Sequence, residues 1–139
     1  TPADAAAMAA LELAVSGVQR GGDYAFCLRN QNGFWRASVY EDGQGRIAGY
    51  MISSGHRALN ILGPAVAGTD GVAAALLLHE LDQYRGRTPL FILPADHPRL
   101  VSQAYQWGAR NVELHLCQVR GAFQPFAGVV MPTFLLETA

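Results

Sequence analysis

The sequence predicts one α/β domain of the α+β kind: helices first, then an antiparallel hairpin, then two strands joined through a helix in a parallel crossover. Three observations predict it. Residues 34–41 alternate apolar and polar side chains and run into Asp42-Gly43-Gln44-Gly45, which is turn chemistry, so they and residues 46–53 read as a hairpin. Residues 59–86 pass from an apolar strand through a glycine-bearing turn into a helix that closes on Gly86. Leu90-Phe91-Ile92-Leu93 is a continuous apolar run between prolines, the pattern of a strand buried on both faces, and a helix between two such strands implies a right-handed parallel crossover.

The chain has 139 residues, half of them hydrophobic and 15% charged, enough for one domain with a real core. Its net charge of −1, with no lysine or arginine block, leaves no electrostatic footprint for nucleic acid or an anionic membrane surface. An anionic ligand therefore needs a local site. The apolar runs break well short of the ~18 residues of a transmembrane helix and no signal peptide is visible, so a cytoplasmic protein is expected. Cys27 and Cys117 lack metal or redox spacing and read as two free thiols in the cytoplasm, or as one disulfide if the chain is exported.

In chain order, Thr1-Pro2-Ala3-Asp4 supplies an N-cap residue, a proline at the first helical position and an acid in the first turn, so a helix begins at once. Met8, Leu11, Val15 and Val18 form its apolar stripe, and Gly17 loosens or ends it. Residues 20–28 read as a second short helix, set off by Gly21-Gly22. In the hairpin, Trp35, Ala37 and Val39 share one face and Arg36, Ser38 and Tyr40 the other. Residues 59–67 are the third strand, bent or bulged at Gly63-Pro64 because proline cannot donate to a ladder.

The next helix places Ala74, Leu77, Leu78 and Leu81 on one face, packed on the sheet. After the buried strand, Asp96 or His97 caps a helix with Pro98 in its first turn and an apolar side of Leu100, Val101 and Ala104, and Gly108 ends it. In residues 111–119, Val112, Leu114 and Leu116 alternate with Glu113, His115 and Cys117, as in a half-exposed strand. Residues 129–135 read as a last edge strand, and the Pro132-Thr133-Phe134 tail either closes over a substrate or buries a dimer interface.

The strand-to-helix junction carries the clearest chemistry. Gly68, Gly71 and Ala73 sit where unpaired backbone N–H groups and the helix dipole favour an anion; the other reading is that the glycines only make the turn. Glu113 and His115, on one strand face, suit a base or a proton relay, or are merely solvated. His56, after the hairpin, and Glu41 either line an acceptor pocket or are merely loop residues. His79 reads as a boundary histidine, and His115-x-Cys117 falls short of a ligand set, so no metal is expected. Trp35 and Trp107 read as packing.

The element order resembles the GNAT superfamily of acyl-CoA-dependent N-acetyltransferases. Gly71-Val72-Ala73 with Ala74-Ala75-Leu76-Leu77 is similar to the end of that family's pyrophosphate loop and the start of its helix. The helix 98–108 with Ala109-Arg110-Asn111-Val112-Glu113 resembles its late helix, which ends in tyrosine, a short spacer and glycine. Gly45-Arg46-Ile47-Ala48-Gly49-Tyr50 resembles the strands before the cofactor motif.

The resemblance implies a mixed sheet with an antiparallel N-terminal hairpin, a parallel β-α-β crossover and helices on both faces. It implies acetyl-CoA, or another acyl-CoA, as co-substrate and an amine as acceptor. The pantetheine arm would pair with backbone at 64–67, among them Ala65, Val66 and Ala67, and the pyrophosphate would meet Gly68, Thr69, Gly71, Val72 and Ala73. Arg99, with Arg85 and Arg87, offers a donor fork for the nucleotide 3′-phosphate. Tyr105 would protonate the leaving thiolate and Glu113 would serve as base.

Five departures accompany the likeness. Gly68 stands where the family carries glutamine or arginine, the loop between Val66 and Gly71 is short, and it carries the acid Asp70. Tyr105 stands three residues before Gly108 where the family spaces it four, a rotation of about 100°. The chain opens on a helix where the family has a first strand, which implies an upstream strand or domain; a homodimer is the other partner expected. The rival reading is a GNAT-like domain weakened in catalysis that serves as a ligand-binding or interaction module.

Overall fold

The computed structural model describes residues 1–56 and 58–133. One 3-10 turn, Pro2–Asp4, in which the Asp4 carboxylate accepts from the Thr1 hydroxyl at 2.9 Å, leads into α1 (Ala5–Ser16). Gly17 ends α1 at φ 74°, its N–H donating to Leu13 O at 3.0 Å. The glycine pair opens the second helix, α2 (Gly21–Arg29), and does not precede it. Asn30 then takes a left-handed conformation, and its side-chain amide bonds both the N–H and the C=O of Trp35 at 2.9 Å, aiming the chain into the sheet.

Four strands follow, β1 (Trp35–Glu41), β2 (Ile47–Ser54), β3 (Ile61–Ala67) and β4 (Val129–Met131), ordered β1-β2-β3-β4 with every pair antiparallel. The hairpin forms where alternation placed it, its turn closed by Asp42 Oδ1, which accepts from the N–H groups of Gln44 and Arg46. The expected bulge appears too: Met51 faces Ala65 and Ser53 faces Leu62, so Ile52 alone opposes Gly63 and Pro64.

Helices cover both faces of the sheet. Against one face, α1 and α2 bring Met8, Val15, Tyr24 and Cys27 onto Tyr50, Ile52 and Val66. Against the other, α3 (Asp70–Gln83) and α4 (Pro98–Gln106) bring Ala73, Leu76, Leu77 and Leu100 onto Met51, Leu62 and Ala65. His97 stands at the N-cap position of α4, without a side-chain cap bond, and the burial of Leu100 and Ala104 agrees with the sequence.

Three expectations are corrected. First, the parallel crossover is reduced to one bridge, Ile61 with Leu90, in which Leu90 N–H donates to Asn60 O and Leu62 N–H to Leu90 O, both at 2.9 Å. Residues 90–93 form no strand and Leu90 is exposed. Pro89 and Pro94 offer no N–H for a ladder, and β4 holds the remainder of that β3 edge through Ala65, Val66 and Ala67.

Second, residues 111–119 belong to no strand and are exposed throughout. Alternation sets which side chains share a face, but a strand also needs a free neighbour. Third, α3 is rotated by one residue: Ala73, Leu76, Leu77 and Glu80 are buried, while Leu78 is exposed. Gly49 permits this, because a Cβ there would lie 2.5 Å from Val72 Cγ1 and 2.9 Å from Leu76 Cδ1, and its absence leaves room for α3 to lie close along those two residues. Of the expected strand 129–135, the first three residues form β4, and 134–139 lie outside the described residues.

Candidate functional site

All seven residues of β3 are buried, so the chain reaches Ala67 with its direction fixed. Gly68 N–H donates to Ala48 O at 2.9 Å, and the next residues leave the ladder. Thr69 is extended and caps α3: its Oγ1 accepts from Val72 N–H at 3.3 Å and its C=O from Ala73 N–H at 3.0 Å. Among the described residues nothing accepts from the N–H groups of Asp70 and Gly71. The start of the longest helix thus offers two free donors at its positive end. A Cβ at Gly71 would meet nothing nearer than Thr69 Oγ1 at 3.9 Å, so the space over this turn is open.

Asp70 also contributes its side chain. Asp70 Oδ1 lies 2.6 Å from Nδ1 of His97, the residue that caps α4, which ties the N-terminal ends of α3 and α4 together. Arg99, exposed in the first turn of α4, is thereby carried to the same end of the molecule as the glycine turn. Arg85 and Arg87 are not: they follow the far end of α3, about 20 Å away at the helical rise. Arg85 pairs with Asp82, and Arg87 reaches Gly55 O and Asn60 Oδ1.

The other expected residues are placed as follows. The outer edge of β3 at Ala65, Val66 and Ala67 is paired with Met131, Val130 and Val129, so the backbone expected to receive a pantetheine arm is held by β4. The chain enters β4 in close contact, since a Cβ at Gly128 would lie 2.5 Å from Ala67 O. Tyr105 stands 52% exposed near the end of α4, opposite the turn that holds Arg99. Glu113 is exposed in 111–119 and its Oε1 lies 2.9 Å from His115 Nε2. Beyond the junction, an open groove of about 410 Å³ runs between β1 and α3, lined by Ser38, Tyr40, Leu76 and His79 among others. No group of three metal-ligating side chains gathers among the described residues, and no described helix is long and apolar enough to cross a membrane.

Two buried polar clusters were missed in sequence. Glu12 is only 1% exposed, with Oε1 accepting from Arg20 Nε at 2.9 Å and Nη2 at 2.5 Å and Oε2 accepting from the Tyr24 hydroxyl, which in turn meets the Tyr50 hydroxyl. Burial, then the hydrogen bonds to Glu12 and Tyr50, pushes the Tyr24 phenol well above its ordinary range, and burial does the same for Tyr50. On the opposite face Glu80, also 1% exposed, accepts from Ser38 Oγ through Oε1. Its Oε2, Ser53 Oγ and the Tyr84 hydroxyl are buried without hydrogen-bond partners among the described residues. The signal was available: both acids fall within the apolar stripe of their helix.

Against known proteins, a family model described as an acetyltransferase (GNAT) domain matches residues 10–124. The chain belongs to the GNAT acetyltransferase family. No curated protein and no solved structure matches it. The matched span of this GNAT domain contains the glycine turn, Arg99, Tyr105 and Glu113, and it stops short of β4. Membership makes acyl transfer the general chemistry of the fold, and it places the open N-terminus of α3 in a family of acyl-transferring enzymes.

Proposed function

We propose that this GNAT domain transfers an acyl group from acyl-CoA, acetyl-CoA in the first instance, to an amine. The observation that carries the reading is the junction of β3 and α3, where a fully buried strand delivers the free N–H groups of Asp70 and Gly71 to open space at a helix N-terminus. There the pyrophosphate accepts hydrogen bonds from the main chain, with Thr69 holding the turn and Arg99, exposed in the first turn of α4, supplying a cation. The pantetheine arm takes the edge of Ala65 to Ala67, for which β4 gives up its three residue pairs. The amine lone pair then attacks the thioester carbonyl; the C–N bond forms, the C–S bond breaks, the nitrogen loses a proton and the thiolate gains one. Tyr105 is assigned as the proton donor and Glu113 as the acceptor.

The test is titration of the purified chain with acetyl-CoA by calorimetry. Saturable binding in the micromolar range, ~8 kcal/mol, is expected, followed by release of free thiol when an amine panel is added. A Cβ at Gly71 makes only an ordinary contact, with Thr69 Oγ1 at 3.9 Å, so Gly71→Val should abolish binding with melting little changed. Unaltered affinity in that variant would sink the phosphate-turn assignment. A second reading is favoured by two observations, the pairing of β4 along the arm's edge and the Asp70 carboxylate at the helix start. It is a GNAT scaffold without acyl-CoA binding that serves as a ligand-binding or interaction domain, and a folded sample that fails to bind selects it.

A further inference from the structure

Residues 111–119 keep a strand's pattern outside any strand. Val112, Leu114 and Leu116 are 76%, 83% and 90% exposed, and they alternate with Glu113 and His115. Val119, Phe123 and Phe126 follow, also exposed, the two phenylalanines in edge-to-face contact at 5.8 Å. These six side chains leave on the order of 600 Å² of apolar surface in water, as much as the largest patch an ordinary monomer shows and not far below the share one partner buries in an ordinary interface. In its own chain the segment has no place on the β3 edge, which Leu90 and β4 occupy.

We propose that residues 111–117 pair antiparallel with the same residues of a second copy of this chain, about a two-fold axis at Leu114. The sequence is self-complementary in that register. Val112 faces Leu116 of the partner subunit, Leu114 faces the partner's Leu114, and Glu113 faces His115 of the partner subunit, so aliphatic meets aliphatic and acid meets base on opposite faces of one ribbon. A slip of one residue sets every apolar side chain against a polar one. Centring the axis on His115 keeps the faces but turns Glu113 towards the partner's Cys117, losing both acid–base contacts. Charge therefore selects the Leu114 register, and a two-fold arrangement uses each contact twice.

Sedimentation equilibrium on the purified chain across the micromolar range tests this. A concentration-dependent dimer is expected, and a chain that stays monomeric throughout overturns the proposal. Leu114→Lys replaces an exposed side chain and sets like charges face to face at the axis, so it should weaken dimerisation at least tenfold with the circular dichroism and melting of the original. Undiminished association in that variant overturns it, as it would in Leu116→Ser, a second substitution at an exposed site. The register has its own readout, because Asn111 faces Cys117 of the partner subunit. Asn111→Cys should give a covalent dimer on mild oxidation, and adding Cys117→Ser should remove it; Cys27 is buried and takes no part. A dimer that forms without this cross-link overturns the register.

Discussion

Gly49→Ala is the sharpest probe of how α3 is set over the sheet. Gly49 does not have a positive φ, so alanine suffers no backbone strain there and only space decides the outcome. The added methyl would lie 2.5 Å from Val72 Cγ1, 2.9 Å from Leu76 Cδ1 and 3.3 Å from Ala67 Cβ. Ordinary carbon contacts are about 3.5–4.0 Å, so the helix must lift by about 1 Å or two side chains must leave their rotamers. Overpacking of that size costs about 1–3 kcal/mol, which for a chain of this length lowers Tm by about 4–12 °C. Val72 is in the first turn of α3, so the lift also moves the donors of Asp70 and Gly71, and acetyl-CoA affinity should fall with stability. Thermal and urea unfolding read the first effect and calorimetry the second. Val72→Ala in the Gly49→Ala background should restore part of the loss, a coupling of about 0.5–3 kcal/mol. If Gly49→Ala melts with the original protein, or the two changes simply add, close docking at Gly49 is not what orients α3.

The two buried acids should respond oppositely to removal. Glu12→Met removes the buried carboxylate that accepts from both Arg20 and the Tyr24 hydroxyl and should cost about 3–5 kcal/mol, whereas Glu80→Met removes one hydrogen bond, from the half-buried Ser38 hydroxyl, and should cost about 1 kcal/mol; equal losses by urea unfolding would refute the distinction. Tyr24 and Tyr50 hold their protons above the ordinary value of 10.0. Their contribution is complete below pH 10, where both states are protonated. It is lost as pH rises further, because the unfolded chain ionises first, at about 1.4 kcal/mol per pH unit for each phenol. Urea midpoints on either side of that value should show the fall, shallower in Tyr24→Phe, and a flat profile would contradict it. Asp70→Asn removes a negative charge beside the turn and should raise acetyl-CoA affinity by about three- to tenfold; weaker binding would mean that the carboxylate helps to hold the ligand.

What could be read in advance was local. The hairpin was legible because Trp35, Ala37 and Val39 alternate up to a turn whose Asp42 carries its own hydrogen bonds, and α3 because a threonine cap and a helical repeat coincide. The glycine-bearing junction between β3 and α3 was legible for the same reason. What depends on a neighbour was not legible. Leu90 reads as a strand residue, but its partner edge is shared with β4, which arrives from far along the chain. Leu78 has the spacing of a core residue, yet it lies in water where α3 docks closely over one glycine on another strand. Glu12 and Glu80 carried a signal, a charge within an apolar stripe, but the partners that hold them, Arg20 and Ser38, came only with the fold.

The divided edge of β3 also bears on the order in which the molecule assembles. β1, β2 and β3 follow one another through short connections, so their ladder closes small loops, whereas joining Ala67 to Val129 closes one of about 60 residues and costs more chain entropy. β4 is therefore the last strand to arrive. With only three residues to hold it, it is also the first to leave, in openings far smaller than global unfolding. Each such opening exposes a finished template of backbone donors and acceptors at Ala65 to Ala67 while the rest of the fold stands, and Val129 and Met131, both buried when β4 is seated, set how rarely that happens.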